Sequence, residues 1–295
     1  MPLGLVLLLG AAPPVLAAAK SSKPGPAKSA RRGVIARDPY LGAIVVEANS
    51  GKVLFEDQAD ARGYPASVLK LMDLLIILEK VEKGELSLRD PVTASAKATQ
   101  VPESRVELQE GESFPLDEML YALMVRSAND AAIAVAEKVG GSVEGFLGLM
   151  NHKARQLGMT STVFHSVNGL PPPPGGPHDI TTARELSILC REVLKHKDTL
   201  RYTSTRERTF RPNAGKRTVK MVTHNHLLGR VEGCDGLKTG YIGASGFSIA
   251  VTAARHGQRI IVIVLDSVDS KTRDAKAKEL VEKGFARLGE SAAKK

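Results

Sequence analysis

The chain has 295 residues, 43% of them hydrophobic and 4% aromatic, with no tryptophan and a formal net charge of +9. That apolar content is enough to fill a real core and excludes overall disorder, while the scarcity of aromatic rings leaves no stacking platform for nucleic-acid bases. The excess charge sits at the ends: Lys20, Lys23, Lys28, Arg31, Arg32 and Arg37 crowd one short segment, and Lys294 and Lys295 close the chain, a distribution that argues against nucleic acid and suits an anionic envelope polymer or lipid surface.

Residues 1–19 carry no charged side chain and end in Ala17-Ala18-Ala19, the small-residue pattern of a signal-peptidase site, so export with cleavage after Ala19 is expected. A retained membrane anchor is the rival reading; a run of about ten apolar residues broken by Pro13-Pro14 is short for a bilayer span. No later segment is long and apolar enough to cross a membrane, so no transmembrane anchor is expected in the mature chain. Residues 20–37, rich in Ser, Pro, Gly and Ala, read as a basic flexible linker, residues 38–288 as one catalytic domain and 289–295 as a polar tail.

Gly42–Glu47 and Lys52–Glu56 flank Ala48-Asn49-Ser50-Gly51 as a β-hairpin. From Val68 to Val81 the sequence is apolar on nearly every face, as in a buried helix, and Gly84 stops it. Residues 85–114 read as short strands or loops. Phe114–Val125 and Asp130–Val139 read as helices separated by the polar break Arg126-Ser127-Ala128-Asn129, and Val143–Leu157 as a third, closed by Gly158. Thr162–Asp179, with Pro171 to Pro174, is a surface loop because proline removes donors and breaks ladders. A helix is expected over Thr181–Lys195, a hairpin from Arg208–Phe210 and Thr218–Val222 around Pro212–Gly215, a second from Ser248–Ala254 and Arg259–Asp266 around His256-Gly257, and an amphipathic helix over Lys271–Leu288. Strands at both ends with helices between them predict an α/β (α+β) fold. An antiparallel sheet drawn from both chain ends is flanked by helices, an all-helical block packs beside it, and a cleft lies between the two. There is no internal repeat.

Ser67-x-x-Lys70 opens the buried helix. Three residues apart on a helix, the hydroxyl and the amine share a face, and desolvation favours a neutral amine that can take the serine proton. The spacing alone is weak, and Ser291-Ala-Ala-Lys294 repeats it in a polar tail. Lys238-Thr239-Gly240 places a cation and a hydroxyl beside a residue without a side chain, against which a substrate backbone can lie. Cys190 and Cys234 could pair as a disulfide in an exported protein, with two separate thiols the favoured reading. His224-x-His226 reads as polar strand and loop structure, and no Cys/His spacing fits zinc, so no metal and no cofactor are expected.

Ser67-x-x-Lys70, Ser127-x-Asn129 and Lys238-Thr239-Gly240 in this order form the three-part set of serine β-lactamases and penicillin-binding proteins. With Asn49-Ser50-Gly51-Lys52, the run Ser127 to Ala132 and Asp235 to Gly240, the chain resembles the low-molecular-mass penicillin-binding proteins that act as D-alanyl-D-alanine carboxypeptidases, over about residues 40 to 288. The resemblance implies a β-lactamase/transpeptidase-like fold and a serine D,D-peptidase removing terminal D-alanine from peptidoglycan stem peptides, with β-lactam antibiotics as covalent inhibitors and a periplasmic or cell-envelope location. It implies Ser67 as nucleophile, Lys70 as general base and Ser127 as proton donor to the leaving amine. Asn129 would orient Lys70 and the substrate amide, Lys238 would supply positive field, and Thr239 and Arg273 would bind the terminal carboxylate. Gly240 and Tyr241 would complete the substrate strand, with the N–H groups of Ser67 and Tyr241 as oxyanion hole.

Singly, each residue has a bland reading: Ser67, Ser127 and Asn129 as helix caps, Lys70 as a snorkelling lysine, Lys238 as a solvated strand charge, Arg273 as half an ion pair with Asp274 or Asp269. Three positions depart from the family: Leu69 and Ile242 stand where threonine is usual, and Asp73 follows Lys70 by three residues. Asp73 is expected to point elsewhere, since direct contact would favour the ammonium and count against Lys70 as resting base. The alternative function is a D,D-endopeptidase cutting cross-links with the same residues in a more open cleft. A β-lactamase is disfavoured because residues 162–179 contain no glutamate for a deacylating water, and a non-catalytic wall-binding protein because no motif is broken.

Overall fold

β-Branched and apolar runs from the two ends of the chain meet in one sheet, with the helical middle packed on it. The computed structural model describes residues 1–2, 35–211 and 215–293, so the expected signal segment, nearly all of the linker, the centre of the Pro212–Gly215 turn and Lys294 lie outside the described residues. From residue 35 onward the described chain belongs to one unit.

Strands β1 (Gly42–Glu47) and β2 (Val53–Asp57) form the first hairpin, and the chain then reaches a 3-10 turn, Ala66–Leu69, that runs into helix α1 (Lys70–Glu82). β3 (Pro91–Thr93), the single turn α2 (Ala96–Thr99) and β4 (Ser113–Pro115) follow, β3 and β4 paired antiparallel. Helix α3 (Leu116–Tyr121) widens into a π turn, Ala122–Arg126, before α4 (Asn129–Gly140) and α5 (Val143–Gln156). After the proline-rich loop come α6 (Ala183–Val193), the short α7 (Thr199–Thr203) and the β5 (Glu207–Phe210) and β6 (Val219–Val222) hairpin. β7 (Cys234–Ile242), β8 (Gly246–Arg255), β9 (Gln258–Ser267) and α8 (Ser270–Ala293) complete the chain.

The main sheet has the order β2-β1-β9-β8-β7, every neighbour antiparallel, so the first and last thirds of the sequence are joined through the β1–β9 pair. Alternation along β9 explains the two-layer build. Ile261, Ile263 and Leu265 belong to the core on the α6 side, whereas Ile260, Val262 and Val264 share the other core with Ala277, Leu280 and Val281 of α8. α1 is the axle of the helical block, with Leu71, Met72, Leu74, Leu75 and Ile77 fully buried, each such side chain contributing about 1.5–3 kcal/mol.

Several boundaries differ from expectation for local reasons. Phe114 is in β4 because its neighbour Pro115 has extended backbone and precedes the helix. The Phe114–Val125 helix therefore begins at Leu116 and ends in the π turn. The one-turn helix α2 is set by Ser95, whose Oγ accepts from Ala98 N at 3.1 Å. α7 was not expected at all. α8 continues past Leu288 through Gly289 to Ala293 instead of giving way to a tail. Cys190 and Cys234 are free thiols, as expected. Among the described residues, no helix is long and apolar enough to cross a membrane.

Candidate active site

The 3-10 turn presents Ser67 at the mouth of α1, and the residue before it, Ala66, has φ +45°, a conformation costly for a residue with a Cβ. Two close approaches fix this turn. A Cβ on Gly240 of β7 would lie 2.7 Å from Pro65 O and 3.1 Å from Ser67 N, so the bare residue lets the strand lie against the serine turn. On the other side, a Cβ on Gly169 would lie 2.2 Å from the Ala66 carbonyl, and Gly169 has φ +79°, so only glycine lets the proline-rich loop close over the turn.

Lys70 is fully buried, and its Nζ lies 2.8 Å from Ser67 Oγ, 2.9 Å from Asn129 Oδ1 and 2.7 Å from the Asn168 carbonyl. A neutral amine has two N–H donors and one lone pair. The two oxygens of Asn129 and Asn168 can only accept, which leaves the lone pair for the Ser67 hydroxyl proton. Burial pushes the Lys70 amine down to about 7, against the upward pull of Asp73, Asp179, Asp130 and Glu103.

Asn129 and Ser127 are placed by the break between α3 and α4. The π turn ends on Ser127 in the left-handed region at φ +61°, which aims its hydroxyl back into the cleft. Asn129 N donates to Ser104 O at 2.7 Å and Asn129 Nδ2 to Pro102 O at 3.2 Å, so the amide oxygen is turned to Lys70. Buried Asp130 holds the opposite wall, accepting from Val106 N, Leu108 N and Ala131 N at 2.9–3.2 Å.

From β7, Lys238 Nζ donates to Ser127 Oγ at 3.0 Å and to Thr239 O at 2.9 Å. With Lys238 as donor, the Ser127 O–H is free to point into the cleft. Burial, with Lys70 and Arg273 nearby, pushes the Lys238 amine well below its usual value. Arg273 is buried, and its Nε and Nη2 donate to Asp274 Oδ1 at 2.8 and 2.6 Å, so it has the ion pair considered for it and still lines the cleft. Ser67, Ser127, Asn129, Thr239, Tyr241 and Arg273 line one cavity of about 320 Å³. Tyr241, half-exposed, rests on Phe247 with ring centroids 4.3 Å apart.

The structure adds residues to those expected. Asn168 contributes a backbone carbonyl. His224 lines the cavity and is held neutral, its pKa lowered to about 4 by burial and by Lys238, Arg126, His226 and Arg273. The His-x-His spacing marked these two residues without indicating that β7 and α8 would bring them to the cleft.

Asp73 makes no hydrogen bond or ion pair with Lys70, as expected; both its carboxyl oxygens are buried without a partner. Burial pushes this carboxyl well above the usual carboxylate range, opposed by Lys70. Its remaining influence on Lys70 is electrostatic and upward. Asp73→Asn is therefore expected to move the titration of the Lys70 amine to lower pH, measured by NMR of the lysine side chain over a pH series. An unmoved titration would mean that Asp73 stays neutral throughout and only packs.

The family described as D-alanyl-D-alanine carboxypeptidase (Peptidase S11) matches residues 40–269. D-alanyl-D-alanine carboxypeptidase DacF of Bacillus subtilis is 32% identical over 244 residues, covering 83% of this chain and 61% of the relative. DacB2 of Mycobacterium tuberculosis, which bears the same description, is 31% identical over 75% of this chain and 73% of its own length. The chain thus spans about three fifths of the length of the first curated relatives it matches. Penicillin-binding protein D2 of Listeria monocytogenes, solved in its ampicillin-bound form, superposes with a TM-score of 0.73 at 31% identity over 84% of this chain and 97% of that one. The match extends over most of the chain in sequence and in fold, and the chain belongs to the D-alanyl-D-alanine carboxypeptidase family.

Proposed function

We propose that the protein is an exported serine D,D-peptidase that removes the terminal D-alanine of peptidoglycan stem peptides through an acyl-enzyme on Ser67. The observation that carries this reading is the 2.8 Å approach of a buried, neutral-leaning Lys70 amine to Ser67 Oγ. Ser67 Oγ attacks the carbonyl between the two D-alanines and its proton passes to Lys70. The oxyanion forms against the backbone N–H groups of Ser67 and Tyr241. As the C–N bond breaks, the Ser127 hydroxyl, with Lys238 held against its oxygen, relays to the departing amine the proton that Lys70 took from Ser67, which leaves Lys70 neutral for the water step. The terminal carboxylate lies at Thr239 and Arg273; an anion there favours the charged form of Lys238 and strengthens the field on the leaving group. Water then hydrolyses the ester. A β-lactam acylates the same serine but leaves no free product, which supports covalent inhibition.

The proline-rich loop offers the β-lactamase reading no water-activating base. Asp179, the one carboxylate of the proline-rich loop, accepts from His165 N, Ser166 N and Ser166 Oγ at 2.6–2.9 Å, so its oxygens are engaged in shaping that loop.

The test is to incubate the purified protein with monomeric pentapeptide and cross-linked dimeric muropeptides and follow masses over time. Loss of one alanine from the monomer is expected. No change in either substrate would sink the reading.

A further inference from the structure

Pro102 and Ser104, the two neighbours of Glu103, are both tied to Asn129 of the catalytic site. Asn129 Nδ2 donates to Pro102 O at 3.2 Å and Asn129 N to Ser104 O at 2.7 Å. Ser104 Oγ adds a bond to Arg126 O at 2.7 Å, next to Ser127. Glu103 is therefore pinned on both flanks to the helical wall of the cleft, and it is held at φ +63°, a conformation that suits glycine and is costly for a residue with a Cβ. The side chain is exposed, so packing does not call for it. It lines the catalytic cavity of about 320 Å³, where it is the only carboxylate among the described residues. That carboxylate has no hydrogen bond and no ion pair among the described residues; Arg105, two residues on, pairs instead with Glu107 at 3.0 Å. Its charge reaches Lys70 and pulls that amine towards the unreactive ammonium. A glutamate here thus costs both backbone strain and basicity of Lys70, and neither cost is offset by a contact within the protein.

From this arrangement we infer that Glu103 is a specificity residue for a cationic group on the acyl part of the substrate, so that peptides with a free side-chain amine upstream of the scissile bond are preferred over the same peptides with that amine acylated. The preference rests on the D,D-peptidase reading and on the proposed seating of the terminal carboxylate at Thr239 and Arg273. The charges of the cleft are segregated to match. Lys238 and Arg273 stand on β7 and α8, where the terminal carboxylate is seated, and Glu103 stands on the wall of Ser127 and Asn129. A carboxylate beside the leaving alanine would repel the substrate's own carboxylate. Beside Asn129, which orients the substrate amide, it meets the chain upstream of the D-alanines, and an ammonium there gives it the partner that the protein withholds.

The test follows release of D-alanine from Nα-acetyl-lysyl-D-alanyl-D-alanine with its side-chain amine free, acetylated or succinylated. The wild type, Glu103→Gln and Glu103→Lys are assayed at low and high salt. For the wild type, kcat/KM is expected to be about fivefold higher on the free amine than on the acetylated peptide, the upper end for an exposed ion pair, and the margin should shrink with salt. Glu103→Gln should bring that ratio close to one, and Glu103→Lys should favour the succinylated peptide. Any effect of the substitutions on Lys70 or on folding is common to the three peptides, so the ratio isolates the contact with Glu103. Equal cleavage of free and acetylated peptides by the wild type, or a preference that survives Glu103→Gln, would overturn the specificity role and leave the D,D-peptidase reading intact. Release of alanine from none of the three by the wild type would overturn that reading and the specificity with it.

Discussion

Ser67→Ala is expected to abolish both covalent labelling by penicillin and release of D-alanine, a loss on the order of 10⁴-fold or more in kcat, as for nucleophile removal in other serine hydrolases. The size of the effect follows from the absence of a substitute. Ser127, the other serine given a part in the reaction, has Lys238 donating to its oxygen, while the Lys70 amine is directed at Ser67 Oγ, Asn129 and Asn168. The fold should survive, because the turn is held by Gly240 and Gly169 packing against backbone atoms and not by the serine side chain. Intact-protein mass spectrometry after incubation with benzylpenicillin, alongside a thermal melt, checks both halves. A persisting adduct with an unchanged melt would transfer the nucleophile to another residue.

What the sequence made legible was whatever is carried by side-chain type at short spacing. Ser67 and Lys70 lie on one turn, and the apolar run behind them announces burial without reference to anything distant. The inner strands were equally plain, since the β-branched, fully apolar runs of β8 and β9 and the His256-Gly257 turn are local signals. What escaped was of a different kind. Asn168 serves through its carbonyl, a group every residue has, so nothing in its identity marks it. Asp130 was quoted as part of a motif without a role, because its partners Val106 and Leu108 sit more than twenty residues upstream in an irregular stretch. Propensity also hides the π turn at Ala122–Arg126: the residues are ordinary helix formers, and the extra residue is imposed by Ser127 having to turn into the cleft. The role of Gly240 was half legible. A missing side chain was read as room for substrate, whereas the space a Cβ would need is taken by Pro65 and the serine turn.

The pH dependence of acylation is the sharper expectation for Lys70. Burial favours the neutral amine and places its pKa at about 7, so the reactive form dominates above that pH and the ammonium below it. The acylation rate should therefore rise about tenfold per pH unit below 7 and level off above it, with about one hundredth of the lysine neutral at pH 5. The position of the limb distinguishes this from a histidine base, since His224, lowered to about 4, would give a limb far more acidic. Lys70→Ala should remove the limb and cost about 10³-fold or more in acylation, within the range expected when a nucleophile's base is deleted. Lys70→Arg should be no better, because a guanidinium keeps its charge and can donate to Asn129 and Asn168 yet never accept the Ser67 proton. Burst-phase acylation measured from pH 5 to 9 reads all of these at once. A flat profile in the wild type, or an arginine variant that acylates at near wild-type rate, would show that Lys70 acts as a fixed charge and that the proton of Ser67 leaves by another route.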